Sequence, residues 1–98
     1  MLPIAYLKPA EHYLKKLIEK PLKKAYLDAI IAIRRDPSIG ALKTGDLSGI
    51  YGFDVFYQGT NHEIAYRVET TNDREMIVVI LVGTRENFYR ELKRYLKS

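Results

Sequence analysis

Apolar residues recur at spacings of three and four in two stretches near the N-terminus. The first stretch follows Pro9 and comprises Ala10, Tyr13, Leu14, Leu17 and Ile18. Pro21 interrupts the pattern, and the second stretch comprises Leu22, Tyr26, Ala29, Ile30 and Ile33. Such spacing is typical of one face of an α-helix, and proline is favoured in a first helical turn. The sequence therefore predicts two helices packed as a hairpin, the second ending near Asp36-Pro37.

The second half of the chain follows the pattern of β-strands. Residues 53–57 are aromatic and β-branched, and residues 63–69 alternate apolar with polar positions. Residues 76–82 are uninterruptedly apolar, which indicates a central strand buried on both faces. Short turns at residues 59–61 and 71–73 predict that neighbouring strands run antiparallel.

The remaining segments complete an α+β pattern. Residues 36–52 contain four glycines and predict a loop, without the spacing of a phosphate-binding loop. After the last strand, one helical face carries Phe88, Leu92, Tyr95 and Leu96. We therefore predict a single α+β domain over residues 1–98, with an N-terminal helical hairpin, a small antiparallel sheet with a buried central strand, and a C-terminal helix.

The composition limits where the protein is expected in the cell and which kinds of catalytic or metal site it can have. The chain has no cysteine, which excludes disulfides and a thiol nucleophile. It has no apolar run of about 18 residues, and its first residues lack a secretory signal, so a cytoplasmic protein without membrane association is expected. His12 and His62 fall on unrelated predicted elements, so we expect no metal or other cofactor.

Charge points to an anionic partner. The net charge is +4, and basic surfaces favour nucleic acids, acidic proteins or anionic lipids. Basic residues outnumber acidic ones in residues 85–98. The basic residues there are Arg85, Arg90, Lys93, Arg94 and Lys97. This segment places a fixed cation at the end of the central strand, followed by a basic, aromatic helix. Such a site suits a phosphate backbone or an acidic protein.

Three motifs, in order, carry a resemblance to a known family. They are residues 42–51 (Leu-Lys, then Leu-Ser-Gly-x-Tyr), residues 64–67 (Ile-Ala-Tyr-Arg) and residues 83–86 (Gly-Thr-Arg-Glu). With the helical hairpin, the chain resembles the RelE/ParE superfamily of bacterial toxins over nearly its whole length. The resemblance implies a toxin of a type II toxin–antitoxin pair, in a hetero-oligomer with a cognate antitoxin. Most RelE-like members cut messenger RNA on the ribosome, whereas ParE-like members poison DNA gyrase.

The resemblance also implies part of a catalytic site. RelE-like nucleases keep a basic residue at the end of the central strand, which Arg85 matches. They often keep a tyrosine or histidine near the C-terminal helix, for which Tyr89 is the nearest candidate. The chain departs from the pattern at Glu63, a position that is often basic, and at Asp54 and Phe56, where some members have lysines.

Metal-free RNA cleavage needs a base for the 2′-hydroxyl, an acid for the leaving oxygen and cations for the phosphate. Arg67 shares a predicted strand face with Glu63, and Arg85 ends the next strand, so both arginines are expected at one phosphate. Glu63 is the expected base, with His62 as the other candidate, and Tyr89 donates a proton or stacks on a nucleobase. The expected catalytic residues are Arg85, Arg67, Glu63 and Tyr89.

Further cations and rings are expected to bind substrate, namely Lys43, His62, Tyr57, Arg90, Lys93 and Arg94. Three classes of function remain open. The leading one is a ribosome-dependent endoribonuclease that blocks translation and binds messenger RNA on the ribosome. The alternatives are a ParE-like inhibitor of gyrase and an interaction module without either activity.

Overall fold

The computed structural model describes residues 1–97, which form three α-helices and five strands. A short strand and a helical hairpin come first, and a sheet and a final helix follow. In chain order the elements are β1 (Ile4–Tyr6), α1 (Lys8–Lys16), α2 (Lys20–Arg35), β2 (Ala41–Leu42), β3 (Tyr51–Tyr57), β4 (Thr60–Thr71), β5 (Arg74–Thr84) and α3 (Phe88–Lys97). The predicted α+β class, helical hairpin and C-terminal helix are confirmed.

The sheet has the order β1-β5-β4-β3-β2 and is larger than the sequence predicted. The three long strands form the predicted antiparallel meander. β1 adds a parallel partner on the far side of β5, where Ile4 pairs with Ile77. β2 extends the other edge by pairing with Tyr51 and Gly52 of β3, inside the segment predicted as loop. The unpredicted β1 makes β5 central, which explains its uninterrupted apolar sequence.

Both long hairpins turn through two residues in the left-handed region. Gln58 and Gly59 join β3 to β4 with φ angles of 48° and 75°. Asn72 and Asp73 join β4 to β5 with φ angles of 52° and 63°. Positive φ at both central residues matches the right-handed twist of the strands they connect.

The two faces of the sheet carry separate cores. The face covered by α1 and α2, here called the hairpin face, buries chiefly Tyr26, Ile30, Ile33, Ile64, Tyr66, Ile77 and Val79. The face covered by α3, here called the α3 face, buries Leu47, Ile50, Ala65, Ile80, Leu81, Phe88 and Leu92. A register shift between Ala65 and Tyr66 lets the consecutive Ile80 and Leu81 both join the α3 face.

Some helical positions are more exposed than their spacing suggested. α1 ends at Lys16, so Ile18 lies in the link before α2 and is 91% exposed. On α3, Phe88 and Leu92 are buried, but Tyr95 and Leu96 are partly exposed. Within residues 1–97, no helix is both long and apolar enough to cross a membrane.

Candidate functional site

A buried carboxylate marks the α3 face. Glu63 lies on β4 between Asp54 of β3 and Gly83 of β5, and only 1% of its surface is exposed. It shares its face with Ala65, which belongs to the core under α3. A buried carboxylate needs hydrogen-bond or ionic partners to offset the loss of water. The residues around Glu63 supply both.

Tyr89 and Arg85 each contact one oxygen of Glu63. The Tyr89 hydroxyl donates a short hydrogen bond to Oε2. The Arg85 Nε lies 3.6 Å from Oε1, and the arginine side chain is 61% exposed. Burial raises the pKa of Tyr89, and the hydrogen bond to Glu63 raises it further. Tyr89 therefore keeps its proton at neutral pH, while Arg85 presents positive charge to solvent.

Lys43 completes this group from the loop before β3. Its Nζ lies 5.0 Å from the centroid of the Tyr89 ring. The hydrogen bond with Tyr89 raises the pKa of Lys43, so the side chain stays charged. The Lys43 amide donates to the Ile50 carbonyl at 2.8 Å, and the buried Ile50 holds the loop against α3. We call Glu63, Tyr89, Arg85 and Lys43 the Glu63 cluster.

A glycine leaves room for this cluster. A Cβ atom on Gly52 would lie 2.8 Å from the Lys43 Cε and 3.0 Å from the Tyr89 Oη. Either side chain would have to move. The sequence contained one signal for this role. Gly52 lies two residues before Asp54, and residues two apart in a strand lie on the same face.

The turn after β5 aims Arg85 and starts α3. The Arg85 amide donates to the Asn61 carbonyl at 3.0 Å, and the Phe88 amide donates to the Arg85 carbonyl at 3.1 Å. Asn87 has a φ of 62°, a conformation that asparagine adopts more readily than most residues. The buried Phe88 then fixes the first turn of the helix, which places Tyr89 over Glu63.

The basic residues of α3 line a groove next to the cluster. Their spacing puts them on one side of the helix, and the groove has a volume of about 590 Å³. Its lining residues are Tyr89, Arg90, Lys93, Arg94 and Lys97. Lys93 also lies 3.6 Å from Asp46 of the loop. Tyr89 belongs to both the groove and the Glu63 cluster, so the two form one continuous surface.

The structure does not bring Arg67 to this surface. Arg67 pairs with Val78 on β5 and lies 3.5 Å from Glu69, whereas Arg85 is bonded to Asn61. A strand rises about 3.3 Å per residue, so Arg67 and Asn61 lie about 20 Å apart. The expectation that Arg67 and Arg85 meet at one phosphate is therefore wrong. Arg67 does share the face of Glu63, but too far along the strand.

His62 and Tyr57 lie on the opposite face of the sheet. The His62 Nδ1 is 2.8 Å from the Tyr26 hydroxyl of α2, and the imidazole is buried. Burial lowers the pKa of His62, and the charge of Glu19 partly opposes this. His62, Tyr57 and Glu19 line a separate pocket of about 250 Å³. The two sequence-predicted base candidates, Glu63 and His62, therefore cannot serve the same substrate group.

The Glu63 cluster combines complementary chemistry within one hydrogen-bonded group. The Tyr89 hydroxyl donates a hydrogen bond, and the Glu63 carboxyl oxygen accepts it. Lys43 and the exposed Arg85 supply positive charge beside them. Such a group can take a proton from a substrate hydroxyl and hold an anion.

Several solved structures share this fold, and three of them are bacterial toxins or contain one. A YoeB/ParE toxin from Agrobacterium tumefaciens is 16% identical, with a TM-score of 0.72 over 86% of this chain and 99% of that chain. The RelBE2 toxin–antitoxin complex from Mycobacterium tuberculosis contains a chain that is 21% identical, with a TM-score of 0.62 over 86% of this chain and 98% of that chain. A mutant of the Escherichia coli toxin RelE in the free state is 17% identical, with a TM-score of 0.65 over 95% of this chain and 96% of that chain.

These likenesses establish the fold. Among curated protein sequences, no significant match is found. The sequence itself matches a family model described as "ParE-like toxin of type II bacterial toxin-antitoxin system" over residues 4–93. That match includes the hairpin, the whole sheet and most of α3, and so every residue of the Glu63 cluster. The chain therefore belongs to the ParE-like toxins of type II bacterial toxin–antitoxin systems.

Proposed function

We propose that this toxin is a metal-independent endoribonuclease that cuts messenger RNA on the ribosome in the cytoplasm, with the Glu63 cluster as its catalytic site. The observation that carries the proposal is the contact of one buried carboxylate with both a phenol and an exposed guanidinium. An acceptor, a donor and a phosphate-binding cation are the groups that cleavage through the 2′-hydroxyl requires.

In this reaction the buried Glu63 acts through Tyr89. The 2′-hydroxyl gives its proton to the Tyr89 oxygen while Tyr89 passes its own proton to the Glu63 carboxylate. The 2′-oxygen then bonds to phosphorus, and the bond from phosphorus to the 5′-oxygen breaks. Arg85 binds the phosphate, and Lys43 is the nearest ammonium group that can return a proton to the leaving 5′-oxygen. The products are a 2′,3′-cyclic phosphate and a free 5′-hydroxyl.

The groove along α3 supplies the longer-range attraction. Arg90, Lys93 and Arg94 line it beside Tyr89, so an RNA strand leaving the cluster follows a row of cations. Phosphate contacts of this kind position a strand without reading its sequence. The partner that restrains the toxin is a cognate antitoxin, as in the similar RelBE2 chain, which was crystallised as a toxin–antitoxin complex.

The test is induction of the protein in bacteria, with separate measurements of protein synthesis, messenger cleavage and plasmid supercoiling. Synthesis should stop and cleavage products should appear while supercoiling stays normal. E63Q should remove cleavage because the amide cannot accept the relayed proton. E69Q is the matched control, since Glu69 lies on the same strand outside the cluster and pairs with Arg67. Equal cleavage by wild type and E63Q would contradict the proposed role of Glu63.

A second candidate, a protein-directed inhibitor of DNA gyrase, is favoured by the charge balance at the site. Glu63 and Asp54 lie side by side and offset Lys43 and Arg85, and the buried Glu63 has both oxygens engaged. A site of low net charge binds phosphate less strongly than an uncompensated cation pair. Loss of supercoiling on induction without messenger cleavage would establish this function instead.

A further inference from the structure

We propose that Phe56 is a stacking platform for one unpaired nucleobase of the RNA, beside the Glu63 cluster. This inference rests on the proposed endoribonuclease function and names the form of substrate that the site accepts. Phe56 is 73% exposed, although it is a large aromatic residue paired within the sheet, one residue before the end of β3. Single exposed apolar residues are common, so exposure alone does not identify a binding site, and the position of the ring is needed as well.

Phe56 lies on the α3 face. Tyr51, Phe53, Val55 and Tyr57 pack into the core of the hairpin face, so the intervening residues of β3 point the other way. A Cβ atom on Gly52 would meet Lys43 and Tyr89, which confirms that this set faces the cluster. Gly52, Asp54 and Phe56 therefore form a line along the strand that begins at the cluster.

Phe56 is also next to the phosphate-binding end of the site. Its partner across the ladder is Asn61, and the Asn61 carbonyl accepts the amide of Arg85 at 3.0 Å. Adjacent strands lie about 4.8 Å apart, so the Phe56 and Arg85 backbones are about 10 Å apart. A strand of RNA crossing here would place a phosphate on the exposed Arg85 and a base on the Phe56 ring.

The edge beside Phe56 is open. β2 pairs only with the first two residues of β3, so within residues 1–97 no strand pairs with the outer edge from Phe53 onward. An unpaired base can therefore reach the ring from the side. A duplex cannot, because its bases are already stacked and paired and their faces are covered. Stacking reads no particular base, since every base has a π-face.

The chain has no tryptophan, so F56W makes a single-tryptophan protein. I18W is the matched control, because Ile18 is exposed at the link between α1 and α2. We expect a short single-stranded RNA to quench F56W fluorescence but leave I18W unchanged, and a duplex of the same length to quench neither. F56A and F56L should both weaken single-strand binding about ten-fold, because leucine restores apolar bulk but no ring.

Two outcomes overturn the stacking role while the endoribonuclease function stands. In the first, the wild-type protein binds and cleaves RNA, but F56L binds RNA as tightly as wild type does or the fluorescence of F56W is not quenched by RNA. In the second, F56A keeps its affinity for RNA and loses affinity only for the antitoxin. The ring would then be a contact for a protein. If the wild-type protein neither binds single-stranded RNA nor cleaves it on programmed ribosomes, the endoribonuclease function fails and the platform fails with it.

Discussion

The two faces of the sheet carry similar polar pairs that differ in how deeply they are buried. Each face carries a buried acid–base side chain that contacts a tyrosine hydroxyl: His62 with Tyr26 on the hairpin face, and Glu63 with Tyr89 on the α3 face. Tyr26 is fully buried inside a large apolar core. Tyr89 is only half-buried. Its ring lies beside Lys43, and it lines the solvent-open groove along α3.

Adjacent residues of one strand can therefore lie in very different surroundings. His62 and Glu63 are neighbours in the chain, but strand alternation sends one under a helical hairpin and the other under a single short helix. Both members of the polar pair on the hairpin face are buried, so we expect that pair to stabilise the fold. The α3 helix leaves its polar pair beside an open groove, and Tyr89 lines that groove.

The largest expected effect is on the hairpin face. Y26A should lower the free energy of unfolding by about 3–5 kcal/mol, because it removes a fully buried ring and leaves a cavity. Urea denaturation of Y26A and wild type measures this. I18A should differ from wild type by no more than about 0.5 kcal/mol, since Ile18 is exposed. A Y26A loss below about 1 kcal/mol would contradict the assignment of this face to stability.

A smaller loss is expected on the α3 face. Y89F removes the donor to Glu63 Oε2 and leaves a buried carboxylate oxygen unsatisfied, so it should cost about 1–3 kcal/mol. A double-mutant cycle with E63Q tests the cause, because the two changes should couple by about 0.5–3 kcal/mol. Additive changes would show that the hydroxyl and the carboxylate do not interact in solution.

The smallest effect is a pH dependence from His62. Its pKa is lowered from the ordinary 6.5 because the imidazole is buried. Between the lowered value and 6.5 the unfolded chain binds the proton and the folded chain does not. Stability from this group is therefore complete above 6.5 and falls as the pH drops through the lowered pKa.

Urea denaturation of wild type and H62Q between about pH 5 and 7.5 measures this dependence. Wild type should lose stability toward the acid end, and H62Q should lose less over the same range. The same slope in both proteins would contradict the role of His62.

Much of the fold could be predicted from local patterns. The spacing of Tyr26 and Ile30 indicated a helix, and the apolar run of β5 indicated a central strand. β1 and β2 escaped prediction because three and two residues are too few to show alternation. Their pairing depends on partners far along the chain, and only the folded sheet brings them together. The left-handed Gln58 carried no signal either, since glutamine rarely occupies that region.

The site could be predicted only in part, because its contacts also depend on residues that are far apart in the sequence. Arg85 and Tyr89 were assigned from the family resemblance and Glu63 as a candidate base, and the structure brings the three together. Strand alternation correctly gave Arg67 the face of Glu63, but alternation alone does not show which residue of β4 pairs beside Arg85. The ladder puts Arg85 beside Asn61, six residues from Arg67. The position of Lys43 over the Tyr89 ring depends on how the loop before β3 folds back on α3, which residue spacing does not encode.

We propose that the Glu63 cluster, and not the sheet face in general, carries the activity of this toxin. The most direct test compares R85A with R67A in cleavage of messenger RNA on programmed ribosomes. R85A should lose cleavage at least about 100-fold, as loss of a group that stabilises the transition state usually does. R67A should unfold within about 1 kcal/mol of wild type, because its ion pair with Glu69 is partly exposed. R85A removes the cation beside the buried Glu63 and should cost about 1–3 kcal/mol, so a urea unfolding curve is needed to show that it is still folded. R67A should cleave as wild type does, whereas full cleavage by folded R85A, or equal losses in both variants, would contradict the account.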